Sequence, residues 1–121
     1  MSATFKIYVD TTLSLDELAA VIEPTVGRSL ERGDDVRITR DGMPVVELRL
    51  NDGWDGPSIE DGVDLAAYPY ILYVEGDSLE PLTTALVDVL ADKQGFPVAV
   101  EDDGAGLVAV HDPDQRQPAA G

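Results

Sequence analysis

One local pattern, an apolar strand running into a capped amphipathic helix, occurs twice in this chain and restricts its fold more than any other feature. Ile7-Tyr8-Val9-Asp10 leads to Ser14-Leu15-Asp16, and Leu72-Tyr73-Val74-Glu75 leads to Ser78-Leu79-Glu80, with a one-residue difference in the connection. Phe5, Ile7 and Val9 alternate with Thr4, Lys6 and Tyr8, the period-2 pattern of a strand with one buried face. Ser14 and Glu17 stand three apart, so hydroxyl and carboxylate can reciprocally cap the free amides of a helix start. Leu15, Leu18, Ile22 and Val26 then recur at spacings of three and four and form one apolar stripe. Pro24 lacks the amide a helix interior uses and is expected to kink or end this helix near Glu23.

The second unit reads in the same way. Tyr70 to Val74 is a near-continuous apolar run suited to a central strand. Asp77 or Ser78 is the expected cap of the next helix, Pro81 falls in its first turn, and Gly95 stops it beyond Lys93. Its stripe is Leu79, Leu82, Leu86, Val89 and Leu90. Each half is completed by further strands. Val36 to Arg40 and Val45 to Leu50 flank Asp41-Gly42, a hairpin signal because glycine accepts the positive φ of a tight turn. Val98 to Val100 and Leu107 to Val110 are joined through an acidic, glycine-bearing link. Two strand-helix-strand halves predict an α+β protein with a ferredoxin-like (split βαβ), mostly antiparallel sheet, two helices on one face and an added hairpin.

At 121 residues, 44% of them hydrophobic, the chain fits one domain, assigned to residues 1–111, with a flexible polar tail over 112–121. The absence of cysteine removes disulfides, thiolate metal sites and cysteine nucleophiles. No basic start followed by an apolar run opens the chain, and no apolar stretch approaches the ~18 residues of a membrane span, so a cytoplasmic protein is expected.

Charge narrows the function. The chain holds 24 acidic against 8 basic side chains, a net of −16, and residues 51–121 alone hold 15 against 2. Such a field repels nucleic acid and anionic membranes and speeds encounter with a basic protein surface. Residues 51 to 67 lack periodicity and read as a long acidic surface loop around Trp54. A lone tryptophan there either folds onto the core or anchors a partner. The candidate partner-binding residues are therefore Trp54, Asp52, Asp55, Glu60, Asp61 and Asp64.

No set of residues indicates catalysis, so the chain is expected not to be an enzyme. His111 is the sole histidine and a strand-end imidazole is more often structural; Ser14 and Ser78 serve as caps; Ser58 has no glycine-flanked elbow. The acidic clusters lack the ligand spacing of a calcium loop, so neither metal nor other cofactor is assigned. Arg32-Gly33-Asp34 reads as a turn, and Arg37 and Arg40, on opposite faces of one strand, pair with nearby acids rather than forming a basic stripe.

Two resemblances add to this. Residues 32–48, with Ile38-Thr39-Arg40, Asp41-Gly42 and Pro44-Val45-Val46, resemble the core of prevents-host-death type antitoxins, which bind DNA as dimers and block a toxin. The wider pattern of a capped helix, Leu48-Arg49-Leu50-Asn51, an acidic gap, Tyr68-Pro69-Tyr70 and a leucine-rich helix is similar to small actinobacterial α+β proteins thought to be polymorphic-toxin immunity proteins. That likeness implies stoichiometric inhibition of a basic toxin. The alternatives are a dimeric ferredoxin-like module that binds a small ligand or metal ion, and an antitoxin-like DNA-binding regulator.

Overall fold

The computed structural model describes residues 3–34, 36–39, 44–51, 59–60, 63–77, 79–102 and 106–111. Two helices lie against a seven-stranded antiparallel open sheet, which makes this an α+β protein. In chain order the strands are β1 (Ala3–Val9), β2 (Glu31–Gly33), β3 (Val36–Ile38), β4 (Val45–Leu50), β5 (Ile59–Glu60), β6 (Val63–Asp64), β7 (Tyr70–Gly76), β8 (Val98–Asp102) and β9 (Gly106–His111). Helix α1 spans Leu15–Val26 and α2 spans Glu80–Val87, continued by a π-helical segment, Asp88–Lys93. The order across the sheet is β2-β3-β4-β7-β1-β8-β9, while β5 and β6 form a separate two-residue ladder. β4 and β1 are both antiparallel to β7, so they run in the same direction with β7 between them.

The alternation of β1 places Ile7 and Val9, both fully buried, beneath the helices. Their sheet neighbours on that face are Leu72, Val74, Val46, Leu48, Val98 and Val100. Leu18 and Ile22 of α1 and Leu86 and Leu90 of the second helical stretch fill the same core without residual exposure. Leu15 and Val26 complete the α1 stripe as partly buried members.

The predicted capping box is present: the Glu17 amide donates to Ser14 Oγ at 3.1 Å and the Ser14 amide donates to Glu17 Oε1 at 2.9 Å. Pro24 does not end α1. The helix runs on to Val26, because a proline in the last turn sacrifices one hydrogen bond, to Ala20, at an exposed position. Gly27 closes it in the left-handed conformation (φ 82°), its amide donating to the Glu23 carbonyl at 2.8 Å. At the start of α2 the structure also differs from expectation. Leu79, not Asp77 or Ser78, occupies the cap position and no side chain caps it. Burial of Leu79 in the core, with 3% exposure, decides the start instead. Ser78 lies outside the described residues.

Arg32-Gly33 belongs to a short strand rather than to a turn. β2 pairs with β3, and the chain reverses at Asp34. Arg37 projects from β3 onto the helix face, where it is nearly buried. Its Nε donates to Asp16 Oδ1 at 2.7 Å, and its Nη1 donates to the Val36 carbonyl at 2.7 Å and the Gly33 carbonyl at 3.3 Å. Arg32 reaches the other carboxylate oxygen of Asp16 at 2.8 Å. One acid in the first turn of α1 thereby ties that helix to the hairpin and compensates a buried guanidinium. β3 and β4 pair as the hairpin signal predicts, with Ile38 opposite Glu47, while the Asp41-Gly42 turn and Arg40 lie outside the described residues.

The segment before β7 is more than a surface loop. Leu65 lies in a 3₁₀ turn (Leu65–Ala67), and Leu65 and Tyr68 are buried against Tyr8, Ile71 and Ala99 on the sheet face opposite the helices. The rings of Tyr8 and Tyr68 meet edge to face at 6.2 Å between centroids. Asn51 holds both ends of the intervening segment: its Nδ2 donates to the carbonyls of Leu65 and Tyr68 at 2.9 and 2.8 Å, and its amide to the Pro69 carbonyl at 2.8 Å. The tail, 112–121, lies outside the described residues. No helix among the described residues is long and apolar enough to cross a membrane.

Two substitutions weigh these contributions. Ser14→Ala removes half of the capping box and is expected to lower unfolding free energy by about 1 kcal/mol. Leu72→Ala empties a filled site at the centre of the sheet and is expected to cost about 2–5 kcal/mol. Urea unfolding of both variants checks the order.

Candidate functional site

A cleft of about 390 Å³ opens between α2 with its π-helical extension and the β8–β9 side of the sheet. Its floor and walls are apolar, built from Phe5 of β1, Val87 of α2, Val100 of β8, and Val108 and Ala109 of β9. Glu80, Asp88, Asp92 and His111 form an exposed polar rim.

Each wall has a local cause. β8 and β9 pair with a bulge: Val100 opposes Ala109 while Glu101 opposes Leu107, so Val108 is left without a partner. A bulge redirects a side chain, and Val108 lines the cleft although about half of its surface is exposed. Opposite it, Glu80, Thr84, Asp88 and Asp92 follow one another at intervals of four. From Asp88 the helix widens, and the Gln94 amide donates to the Val89 carbonyl, five residues back, at 3.0 Å. π-Helical turns of this kind gather at functional sites.

The rim is electrostatically strained. Asp92 has its pKa raised above the ordinary aspartate value, first by a hydrogen bond with the Asp88 carboxyl, then by desolvation and by repulsion from the Asp88 charge, with His111 pulling in the opposite direction. Two carboxylates four residues apart on one helical face repel each other, which disfavours charging both. Below the rim, Thr83 lines the cleft; it is 7% exposed and its hydroxyl oxygen is buried with no hydrogen-bond partner. A buried polar group left unsatisfied is uncommon and costly. In contrast, Asp16 has its pKa lowered, chiefly by the hydrogen bond from Arg37. One acid is matched by cations, and the other faces its own kind.

Among the described residues no group of three or more histidine, aspartate or glutamate side chains is arranged to hold a metal ion. Of the residues assigned to partner binding from the sequence, Trp54, Asp52, Asp55 and Asp61 lie outside the described residues. The backbones of Glu60 and Asp64 belong to the β5–β6 ladder, where Glu60 opposes Val63 and Asp64 opposes Ile59. The cleft itself was not anticipated. His111, read as structural from its place at a strand end, shares the rim with Asp88 and Asp92. A signal was present in the sequence: like charges four apart on a helix, Asp88 and Asp92, oppose helix stability and invite a reason.

Compared with models of known protein families, with curated proteins and with solved structures, the chain gives no significant match.

The two aspartates are expected to act in opposite senses on stability. A raised folded-state pKa means that the native protein holds the Asp92 proton more tightly than the unfolded chain does. The stability this proton supplies is present at pH values below the unfolded pKa and is lost as pH rises through the folded value. Asp92→Asn should therefore raise stability at neutral pH, with the gain shrinking in acid. Asp16 contributes above its unfolded pKa and loses its contribution as pH falls through its lowered folded value, so Asp16→Asn should destabilise at neutral pH. Urea midpoints measured across the acid range would decide both; a neutral-pH loss on Asp92→Asn would contradict the strained-rim description.

Proposed function

We propose that this chain is a non-enzymatic, acidic binding protein that captures and neutralises a basic protein, in the manner of an immunity protein that blocks a toxin. The observation that carries the reading is an apolar cleft with an acidic rim of Glu80, Asp88 and Asp92 on a chain of net charge −16. A cationic partner would be steered by the field and would relieve the repulsion between the rim carboxylates. Trp54, Asp52, Asp55, Glu60, Asp61 and Asp64 are proposed to add a second contact, with Trp54 as its anchor. The resemblance to actinobacterial immunity proteins points the same way, and a cytoplasmic location, where such inhibitors would meet their toxins, is part of the proposal. We read the core as ferredoxin-like. Without β2, β3 and β9 the order is β4-β7-β1-β8, and each helix lies between strands separated by one other, which supports a split βαβ plan.

A second reading has its own support. The cleft volume falls within the range of small-molecule sites, which favours a ligand-binding module, with two copies paired through the sheet. A DNA-binding role is disfavoured by the charge, since phosphate contacts need a basic surface.

The immobilised protein, offered a lysate of its source, is expected to retain one basic protein in stoichiometric amount, released as salt rises, and to abolish that protein's toxicity when the two are co-expressed. A folded Trp54→Ala variant is expected to bind it about tenfold more weakly, the scale of an interface tryptophan. Retention that is indifferent to salt, or a retained partner that is itself acidic, would sink the proposal.

A further inference from the structure

We propose that the free edge of β9 receives a strand of the basic partner, an extended segment that alternates lysine or arginine with apolar residues and adds to the sheet antiparallel to β9. This rests on the preceding reading that the partner is cationic, and adds to it the place, the backbone conformation and the side-chain pattern of the segment that binds.

The two ends of the sheet are finished differently. Among the described residues β2 pairs only with β3 and β9 only with β8, so each is an edge. An edge strand presents backbone N–H and C=O groups without ladder partners, and charge, proline or shortness ordinarily keeps other strands from adding to it. β2 has such protection: it is three residues long, all exposed, and begins with Glu31 and Arg32. β9 is six residues long, Gly106-Leu107-Val108-Ala109-Val110-His111, with no proline, carboxylate, lysine or arginine among them. Its bulge leaves Val108 about half exposed, and beyond the bulge the ladder runs on regularly from Ala109 to His111.

The two faces beside that edge set the pattern of the added strand. On the helix side Ala109 and His111 line the cleft, with Glu80, Asp88 and Asp92 across it. On the opposite face Leu107 and Val110 pack against the cluster of Tyr8, Tyr68 and Ile71. Successive side chains of a strand point to opposite faces. A strand laid beside β9 therefore sets alternate side chains toward three carboxylates and the others beside Leu107 and Val110, so basic and apolar residues in alternation match both faces. Backbone hydrogen bonds give such an addition its affinity, and the alternate side chains its specificity. A second copy of β9 lacks the basic residues, and each copy brings a net charge of −16, which opposes that pairing.

The test titrates the full chain with an acetylated and amidated heptapeptide of alternating lysine and valine, followed by NMR. Saturable shifts over residues 106–111 and slower hydrogen exchange of amides in that strand are expected, and the peptide with glutamate in place of lysine is expected not to bind. A strand joins a sheet through one of its two edges. Of two further peptides, N-methylated at every valine or at every lysine, one is therefore expected to bind about tenfold more weakly and the other to bind as the parent peptide does. Val108→Lys, at an exposed position, should weaken the peptide about tenfold, and Val108→Thr should leave it within about twofold, in variants whose melting curves show a folded protein. Equal affinity of the two methylated peptides would overturn the proposal, as would shifts spread over the acidic surface without saturation. A dimer of the protein alone, dissociated by the peptide, would give the edge to a second copy and overturn the basic strand as its occupant. Failure of the parent reading looks different: the peptide would add to β9 as expected, which supports the edge, while no basic protein is retained from the lysate. Conversely, a basic protein held with undiminished affinity by Val108→Lys would leave the parent reading intact and remove the strand addition.

Discussion

β1 is the constraint on which the rest of the molecule hangs. It is hydrogen-bonded along both edges, to β7 from Ala3 through Val9 and to β8 from Phe5 through Val9. It is also covered on both faces. Ile7 and Val9 sit under the helices, and Tyr8 lies beneath Tyr68 on the other side. A strand held in four directions cannot slip by one residue, because a slip would carry Ile7 and Val9 to the wrong face and Tyr8 into the helix core. The register of β7 and β8 follows from it, and through them the positions of β4 and β9. The cleft is a consequence: Phe5 of β1 and Val100 of β8 form part of its floor because those two strands are paired.

Charge is distributed on this frame in two unlike ways. At the α1 end, Asp16 gathers Arg32 and Arg37, and every member of that group has a counterpart. Its role is structural, holding the β2–β3 hairpin to the helix. At the α2 end, Asp88 and Asp92 stand four residues apart in the π-helical stretch with no cation matched to either carboxylate by an ion pair among the described residues, and the Asp88 charge is one cause that raises the Asp92 pKa. Departures from local rules of this kind are more frequent at functional sites than elsewhere. The two ends thus differ in how their acids are matched: by cations at α1, and by a like charge at α2.

Several features were legible before any tertiary information. The Ser14–Glu17 box, the Leu15-Leu18-Ile22-Val26 stripe, the pairing of residues 36–38 with 45–50 and the central place of Tyr70–Val74 all follow from local periodicity and capping chemistry. Where the reading departed from the structure, tertiary packing outweighed a local rule. Pro24 was expected to kink or end the helix near Glu23, and the helix continues two residues beyond it because the lost bond falls at an exposed position. Leu79 displaced a polar cap because its burial outweighs a cap hydrogen bond. Leu65 falls within the span 51–67 expected as a surface loop on composition, yet with Tyr68 it covers the second sheet face.

By itself the sequence determined the longer strands and both helices, which of their faces are apolar, and that the whole carries a large negative charge, while the short β2, β5, β6 and the 3₁₀ turn escaped it. Those properties depend on residues close together along the chain. The cleft depended on the tertiary structure, since it joins Phe5, residues 80–92 and residues 100–111 through the order of strands, the bulge beside Val100 and the π-helical turn at Asp88. Periodicity reports that a face is buried but not what it is buried against. The meeting of Asp92 and His111, nineteen residues apart, was therefore decided only when α2 packed beside β9.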